Sequence, residues 1–339
     1  MDKCFGARYS VCICGIIGRT STDAVYSRWP PRSNPAFVLS HPNIPIIFPE
    51  SFNSVLTSSS ISTPKLSQRS MDVIYEFVRQ TVNTYIVPHS TILKSTWVGL
   101  GVAAFGILTS GLLTATYGRH FKANSIFPTI NGKLGWMCQE IVSPITVAIF
   151  YEAFKVPGPT PSTGLVLLAL WLIHYANRAC LSVLLSPGMK ESRLDTVLES
   201  TFFNLINAGW VGYDLGHLNT VQFDLTVRTL VGLLMFGAGM AINISSDYYL
   251  QGVRRKNGDG GKYVLPDWGL YKYILSPNYA GETLEWIGYA ILLNRESGWV
   301  FVLWTICNLG PRARSNLAWY KEKFGDKVGN RKSLIPGVI

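Results

Sequence analysis

The sequence predicts an all-α, polytopic membrane bundle of about seven transmembrane helices, and three observations carry that prediction. Hydrophobic residues make up 48% of the 339 residues and Asp, Glu, Lys and Arg together only 15%. With a mean hydropathy of +0.22, this is too apolar and too poor in charge for an ordinary soluble domain of that length. The apolar residues gather into runs that approach the ~20 residues needed to cross a bilayer. The basic residues, which give a net charge of +10, fall between those runs instead of forming one polar domain. That distribution points to membrane topology and away from a nucleic-acid partner.

Residues 1–70 are rich in Ser, Pro and Thr, as in "WPPRSNPAF" and "SVLTSSSISTPKL". They have no sustained apolar face and read as a disordered extension or a mispredicted start ahead of Met71. From Met71, "MDVIYEFVRQTVNTYIV" has apolar residues at 74, 77, 78 and 82 and reads as an interfacial helix. The membrane domain then occupies 71–339. Its expected spans are Trp97–Tyr117, Gly135–Phe154, Gly164–Leu185, Val197–Leu218, Thr226–Leu250, Tyr279–Leu293 and Gly298–Leu309. The last two are short and flank a tight turn at Asn294 to Ser297, which makes them a helical hairpin. Stretches such as "KVPGPTPSTG" and "SPGMKESR" supply the loop punctuation.

Charge orients the bundle. With seven spans, one side receives Arg119, Lys122, Lys133, Lys190, Arg193, Arg254, Arg255, Lys256, Lys262, Lys272, Arg312, Arg314 and the basic residues beyond them. The other side receives Lys94, Lys155, Arg228 and Arg295 near the membrane. The positive-inside rule puts the C-terminus in the cytosol. The cysteines, Cys4, Cys12, Cys14, Cys138, Cys180 and Cys307, form no CxxC pair, and no metal site is expected.

Polar residues inside the spans carry the functional signal. Even on the lenient insertion scale, an ionisable side chain at mid-membrane costs about 2.5–3.5 kcal/mol, so each one asks for a partner or a task. The second span holds Gln139 and Glu140; the third holds His174, Tyr175, Asn177 and Arg178 in "IHYANRACL". In "AINISSDYYLQGVRR" the fifth span sets Asn243, Asp247 and Arg254 on one helical face. The sixth opens with Asn278 and Glu282 one turn apart, and "GPRARSNLAWYKEKFGD" after the seventh aligns Arg312, Asn316 and Tyr320. A lone Asn or His is explained by interhelical hydrogen bonding, worth about 0.6 kcal/mol. Glu140, Asp247, Arg254, Glu282 and Arg312 at one depth are too costly for that and read as a polar cavity facing the cytosol. Trp286, Tyr289, Trp299 and Trp304 read as packing and interfacial-belt residues.

The C-terminal third, with "NISSDYYLQGVRR", "YVLPDWGLYKYILSPNYAGETLEWIGYAI", "LGPRARSNLAWYKEKFGD" and "RKSLIPGVI", strongly resembles the steroid 5α-reductases, the 3-oxo-5α-steroid 4-dehydrogenases. The resemblance continues more thinly through "NAGWVGY", "IHYANR" and "CQE", back to about Gly135. It implies an NADPH-dependent membrane oxidoreductase acting on CH–CH groups, of the endoplasmic reticulum, with a steroid or other enone lipid as substrate. It points to no obligate protein partner. It also implies that Asn243, Asp247, Arg254, Tyr263, Asn278, Glu282, Arg312 and Tyr320 form the cofactor site, within residues of about 240–339, with Glu285 left to packing. Arg254 and Arg312 are the candidate phosphate partners, a role that suits a guanidinium fork. No GxGxxG opens a βαβ unit, so a Rossmann mode of cofactor binding is excluded.

By the same resemblance, Glu140 and Tyr175 meet the 3-oxo group of the substrate, accompanied by Gln139. Hydride addition to the β-carbon of an enone builds negative charge on the carbonyl oxygen. Hydrogen bonds from Tyr175 and from Glu140 as a neutral carboxylic acid would stabilise it. Two departures from the family pattern stand out: Gln251, where relatives often carry a basic residue, and Asn316, where a His is common. The readings left beside this one are a trans-2-enoyl-CoA or polyprenol reductase of the same superfamily, a prenylcysteine methyltransferase, and a non-catalytic sterol-binding protein.

Overall fold

The computed structural model describes residues 68–109, 127–257 and 263–337. Of the expected disordered extension at 1–70, residues 1–67 lie outside the described residues, as does the part of the first span beyond Thr109, whereas Gln68, Arg69 and Ser70 already belong to the first helix. The described chain is helical almost throughout, in the order α1 (Gln68–Thr81), α2 (Ser90–Thr109), α3 (Gly132–Phe154), α4 (Thr163–Tyr175), α5 (Ser182–Leu185), α6 (Leu194–His217), α7 (Val227–Asn257), α8 (Pro277–Leu293) and α9 (Glu296–Phe324). Two short strands, β1 (Thr129–Ile130) and β2 (Ser192–Arg193), pair antiparallel with Thr129 opposite Arg193. Loop punctuation did not foretell this clasp.

Among the described residues, four helical stretches have the length and apolar composition to cross a membrane: Ser70–Ile107, Gly132–Phe154, Thr163–Leu185 and Val227–Lys256. The chain is therefore a multi-pass membrane protein. Three expected spans fall outside that description for visible reasons. The α8 helix has only 17 residues, α6 carries Asp195, Glu199 and Asp214, and α9 runs from an apolar half into Arg312, Arg314, Lys321 and Lys323.

The segment after Met71 differs from the expected separate interfacial helix. It runs through a π turn at Val82–Ile86 and a 3₁₀ turn at Val87–His89 directly into α2. Its apolar residues divide: Phe77 is exposed, while Val82 is buried with Ala153 and Phe154 against Tyr75 and Val78. Arg79 Nε fastens this segment to Ala153 O at 2.9 Å.

Hydrogen bonds sort the helix ends into two sets. At one end Lys94 meets Glu296 at 2.8 Å, Ser297 Oγ donates to Asp214 at 2.5 Å, and Thr163 N donates to Val221 O at 2.7 Å. There Asn219 is a hub, accepting from Tyr151 Oη and Ser162 Oγ on its Oδ1 and donating to Val156 O. At the other end lie β1 and β2, the contact of Arg255 Nη2 with Leu185 O at 2.7 Å, and the C-terminal tail. The tail runs beside the lead-in to α8, where Leu275 N donates to Lys332 O at 2.9 Å and Ser276 N to Ser333 O at 3.0 Å. The chain thus passes back and forth between two ends, and the tail braces the helix that opens with Asn278.

Small residues bring the helices close, as expected where no hydrophobic difference from lipid drives packing. A Cβ on Gly239 of α7 would sit 2.3 Å from Glu285 N, and one on Gly288 of α8 would sit 2.4 Å from Phe236 N. On α6, a Cβ on Gly212 would lie 2.7 Å from Val147 O of α3. Between these seams Trp171, Tyr175, Trp286, Tyr289 and Phe301 form a buried aromatic core, with Trp171 and Trp286 centroids 5.0 Å apart. Trp286 and Tyr289 are core residues, while Trp299 is exposed on the bundle surface. The turn between α8 and α9 rests on Asn294 in the left-handed region at φ 50°, a conformation Asn tolerates better than most residues.

Candidate active site

The α4 helix does not continue regularly past Tyr175. Ala176–Leu181 form a π turn before α5 resumes, a local widening that often accompanies function. This turn rotates the side chains that follow relative to a regular helix. Three contacts from α7 hold it and the helix after it: Tyr248 Oη donates to Asn177 Oδ1 at 2.7 Å, Gln251 Nε2 to Ser182 O at 3.2 Å, and Arg255 to Leu185 O. Gln251, one of the two departures from the family pattern, is thus a strut between α7 and the third helical passage.

The π turn aims Arg178 between two carboxylates. Its Nη1 lies 3.2 Å from Glu282 Oε2 on α8 and its Nε 3.5 Å from Glu140 Oε1 on α3. Glu282 Oε2 also faces Asn243 Nδ2 of α7 at 3.4 Å, and the same amide donates to Asn278 O at 3.0 Å. Asn278 Nδ2 in turn donates to Asp247 Oδ1 at 2.9 Å. One polar network therefore runs from Glu140 through Arg178, Glu282 and Asn243 to Asn278 and Asp247. Glu140, Glu282 and Asn243 are buried.

Tyr175 is also buried, within electrostatic reach of Glu140 and Arg178, and its ring stacks on Trp171 with centroids 5.5 Å apart. Gln139 is buried beside Glu140, and its backbone carbonyl accepts from Asn204 Nδ2 at 2.7 Å. One turn below Arg178, His174 Nδ1 lies 2.8 Å from Glu285 Oε1, both side chains almost wholly buried. Glu285 thus has a partner in the core, and the pair lies within electrostatic reach of Glu282.

The remaining expected site residues are dispersed. Arg312 Nε donates to Tyr279 Oη at 2.6 Å, which puts it beside the start of α8. Arg254 is exposed at the end of α7, within electrostatic reach of Asp247. Tyr263 is exposed, edge-on to Trp319 and under Lys323 Nζ at 4.2 Å. Tyr320 is buried with Leu275 and Val328 in the apolar cluster beneath the C-terminal tail. Asn316, the second departure, is buried and donates to Ser276 Oγ at 3.2 Å, so it ties α9 to the residue that caps α8.

The sequence shows Arg178 among the polar residues of the third span but does not place it in the site; its direction is set by the π turn, which carries no local signal. Nothing in the sequence marked the π turn or the contact of Tyr279 with Arg312.

The residues fit a dinucleotide by their chemistry. Asn243, Asp247, Asn278 and Glu282 offer the amide donors and carboxylate acceptors that carboxamide and ribose hydroxyls require, and Arg312 beside them offers a guanidinium for phosphate. No group of three or more His, Cys, Asp or Glu side chains among the described residues is arranged to hold a metal ion.

Comparison with known proteins identifies the family. Residues 190–339 match the family model described as 3-oxo-5-alpha-steroid 4-dehydrogenase. The chain is 34% identical over 232 residues to "Steroid 5-alpha-reductase DET2" of Solanum lycopersicum, covering 66% of this chain and 87% of that protein. It is 30% identical over 246 residues to "3-oxo-5-alpha-steroid 4-dehydrogenase 1" of Homo sapiens, covering 69% and 94%. To the protein of that name in Rattus norvegicus it is 37% identical over 209 residues, covering 60% and 79%. The chain belongs to the 3-oxo-5-alpha-steroid 4-dehydrogenase family, a family of membrane oxidoreductases that act on CH–CH groups.

Proposed function

We propose that this protein reduces the Δ4 double bond of a 3-oxosteroid or a similar enone lipid, with NADPH as the reductant. The observation that carries the proposal is the single network joining Glu140 on α3, Arg178 on the π turn, and Glu282, Asn243 and Asn278 at the α7–α8 contact. It brings residues suited to a carbonyl oxygen next to residues suited to a nicotinamide nucleotide.

NADPH bound there would supply hydride to the β-carbon. Asn243, Asp247, Asn278 and Glu282 would hold the nicotinamide side, and Arg312 and Arg254 the phosphates, with Tyr263 and Tyr320 toward the nucleotide's far end. Tyr175 and Glu140 would bind the 3-oxo oxygen, with Gln139 lining the approach. Their O–H groups meet negative charge as it develops, where preorganised donors in a dry site are most effective. Glu140 would donate as a carboxylic acid once the enone is bound; in its absence the carboxylates of Glu140 and Glu282 both face the Arg178 guanidinium. Tyr175 is buried against Trp171 and Trp286, which would hold its ring and keep water from the reacting face. The α-carbon then takes a proton from solvent.

The same reading has all seven expected stretches crossing the membrane within one domain of 71–339. It sets the Arg255 and C-terminal end in the cytosol, where NADPH is available, and the protein in the endoplasmic reticulum with bilayer lipid and the enone lipid as its partners. The test is a panel. Microsomes containing the full chain are incubated with NADPH and a Δ4-3-oxosteroid, an enoyl-CoA or a polyprenol, and mass spectrometry reads a gain of two hydrogens. Reduction of the steroid is expected. Reduction of only the enoyl-CoA or the polyprenol, or of none, refutes the assignment.

A further inference from the structure

Arg178 reaches both halves of the site at once, and its surroundings hold it in that position. Its backbone carbonyl accepts from Trp136 Nε1 at 3.4 Å and from Ser182 Oγ at 3.2 Å. Its guanidinium lies 5.0 Å over the Trp136 ring, a stacking arrangement available to Arg and poorly matched by Lys. From that position different nitrogens face different carboxylates: Nε faces Glu140 at 3.5 Å and Nη1 faces Glu282 at 3.2 Å. The side chain is 20% exposed and the two carboxylates 11% and 10%, so water screens these contacts only partly.

We propose that Arg178 is a positioning residue that couples the two half-sites, fixing Glu140 for the substrate oxygen and Glu282 for the cofactor through one planar guanidinium. The inference rests on the functional reading above and adds a dependence which that reading does not require. Moving or neutralising one carboxylate changes what Arg178 offers the other. Without Arg178, Glu140 and Glu282 become two buried carboxyl groups that share no cation. Losing one member of a buried charged set is costly chiefly because of the charge left behind. Removing one of the two carboxylates should then relieve the other, although they sit on different helices and serve different ligands.

The experiment measures the NADPH dissociation constant of the detergent-solubilised full chain by quenching of protein fluorescence, with no enone present. Arg178→Met should raise that constant about tenfold or more, the size expected for a lost charge-assisted contact. Adding Glu140→Gln, a change on the substrate side, should recover at least threefold of the lost affinity. A residue that only stabilised the fold would show no such recovery. If Arg178→Met does not fold, Arg178→Lys carries the same test, because an ammonium satisfies one carboxylate well and not two, and Glu140→Gln should again restore NADPH binding. Additive effects, or an NADPH constant that Arg178→Met leaves unchanged, overturn the coupling. A wild-type chain that binds no NADPH overturns the functional reading itself, so the two failures are distinguishable.

Discussion

A single methyl group at the α7–α8 seam should disturb both the fold and the site. In Gly239→Ala the new Cβ would lie 2.3 Å from Glu285 N and 2.6 Å from Gly281 O, both backbone atoms. Ordinary contacts at about 3.5 Å require the two helices to part by roughly 1 Å. The same pair of helices is bridged by Asn243 Nδ2, 3.0 Å from Asn278 O and 3.4 Å from Glu282 Oε2. A parting of that size carries both beyond hydrogen-bond reach. Overpacking costs about 1–3 kcal/mol and each of the two lost hydrogen bonds about 1 kcal/mol, so the total is on the order of 3–5 kcal/mol. At roughly 2–4 °C per kcal/mol for a chain of this size class, the melting temperature in detergent should fall by about 6–20 °C. NADPH affinity should fall about tenfold with it. The control is Gly237→Ala, two residues away on the same helix, where a Cβ meets nothing within 4 Å. It should be neutral or slightly stabilising, since Ala exceeds Gly in a helix by about 0.5–1 kcal/mol. Equal melting and equal NADPH binding in the two variants would refute the close-packed seam and its link to the site.

Three further outcomes follow from the same geometry. His174→Phe alone should destabilise by about 3–5 kcal/mol, because it strands Glu285 in the core; the double variant His174→Phe/Glu285→Leu should melt at a higher temperature than the single, and a lower one would refute the pairing. Arg312→Ala should raise the KM for NADPH about ten- to a hundredfold by removing a charge-assisted contact, with little change in steroid affinity; steroid binding that collapses while NADPH binding holds would reverse the assignment. Glu140→Gln and Tyr175→Phe should each lower kcat while NADPH still binds, and the double variant should lose less than the product of the single losses, because both serve one oxygen; cleanly multiplying losses would separate their roles.

The membrane character and the register of most helices were legible in the sequence because apolar runs and Gly–Pro punctuation are local signals. The turn at Asn294 was legible for the same reason, since a polar break between two short apolar runs leaves little room for anything but a hairpin. The extent of α9 was not. Pro311 lies inside it, and an interior proline ordinarily reads as the end of a helix. The π turn at Ala176–Leu181 shares its composition with a regular helix, so the side-chain directions beyond Tyr175 had no local marker. The C-terminal tail beside Leu275 and the β1–β2 clasp are contacts between distant segments, which periodicity does not encode. Within the site, polar residues at membrane depth were conspicuous one by one. Which of them meet was not: Arg178 joins Glu140 and Glu282, while Tyr263 is set apart on Trp319 and Lys323.

The central claim, that the chain reduces a 3-oxo-Δ4 steroid with hydride from NADPH, is tested most directly by isotope tracing. Membranes containing the full chain are given a Δ4-3-oxosteroid and NADPH carrying deuterium at the transferable position of nicotinamide C4, and the product is read by mass spectrometry and NMR. The account predicts one deuterium at C5 and one solvent-derived hydrogen at C4, with label transfer slowed in Tyr175→Phe. A reduced steroid with no deuterium at C5, or an unreduced steroid under conditions where the membranes bind NADPH, would contradict it.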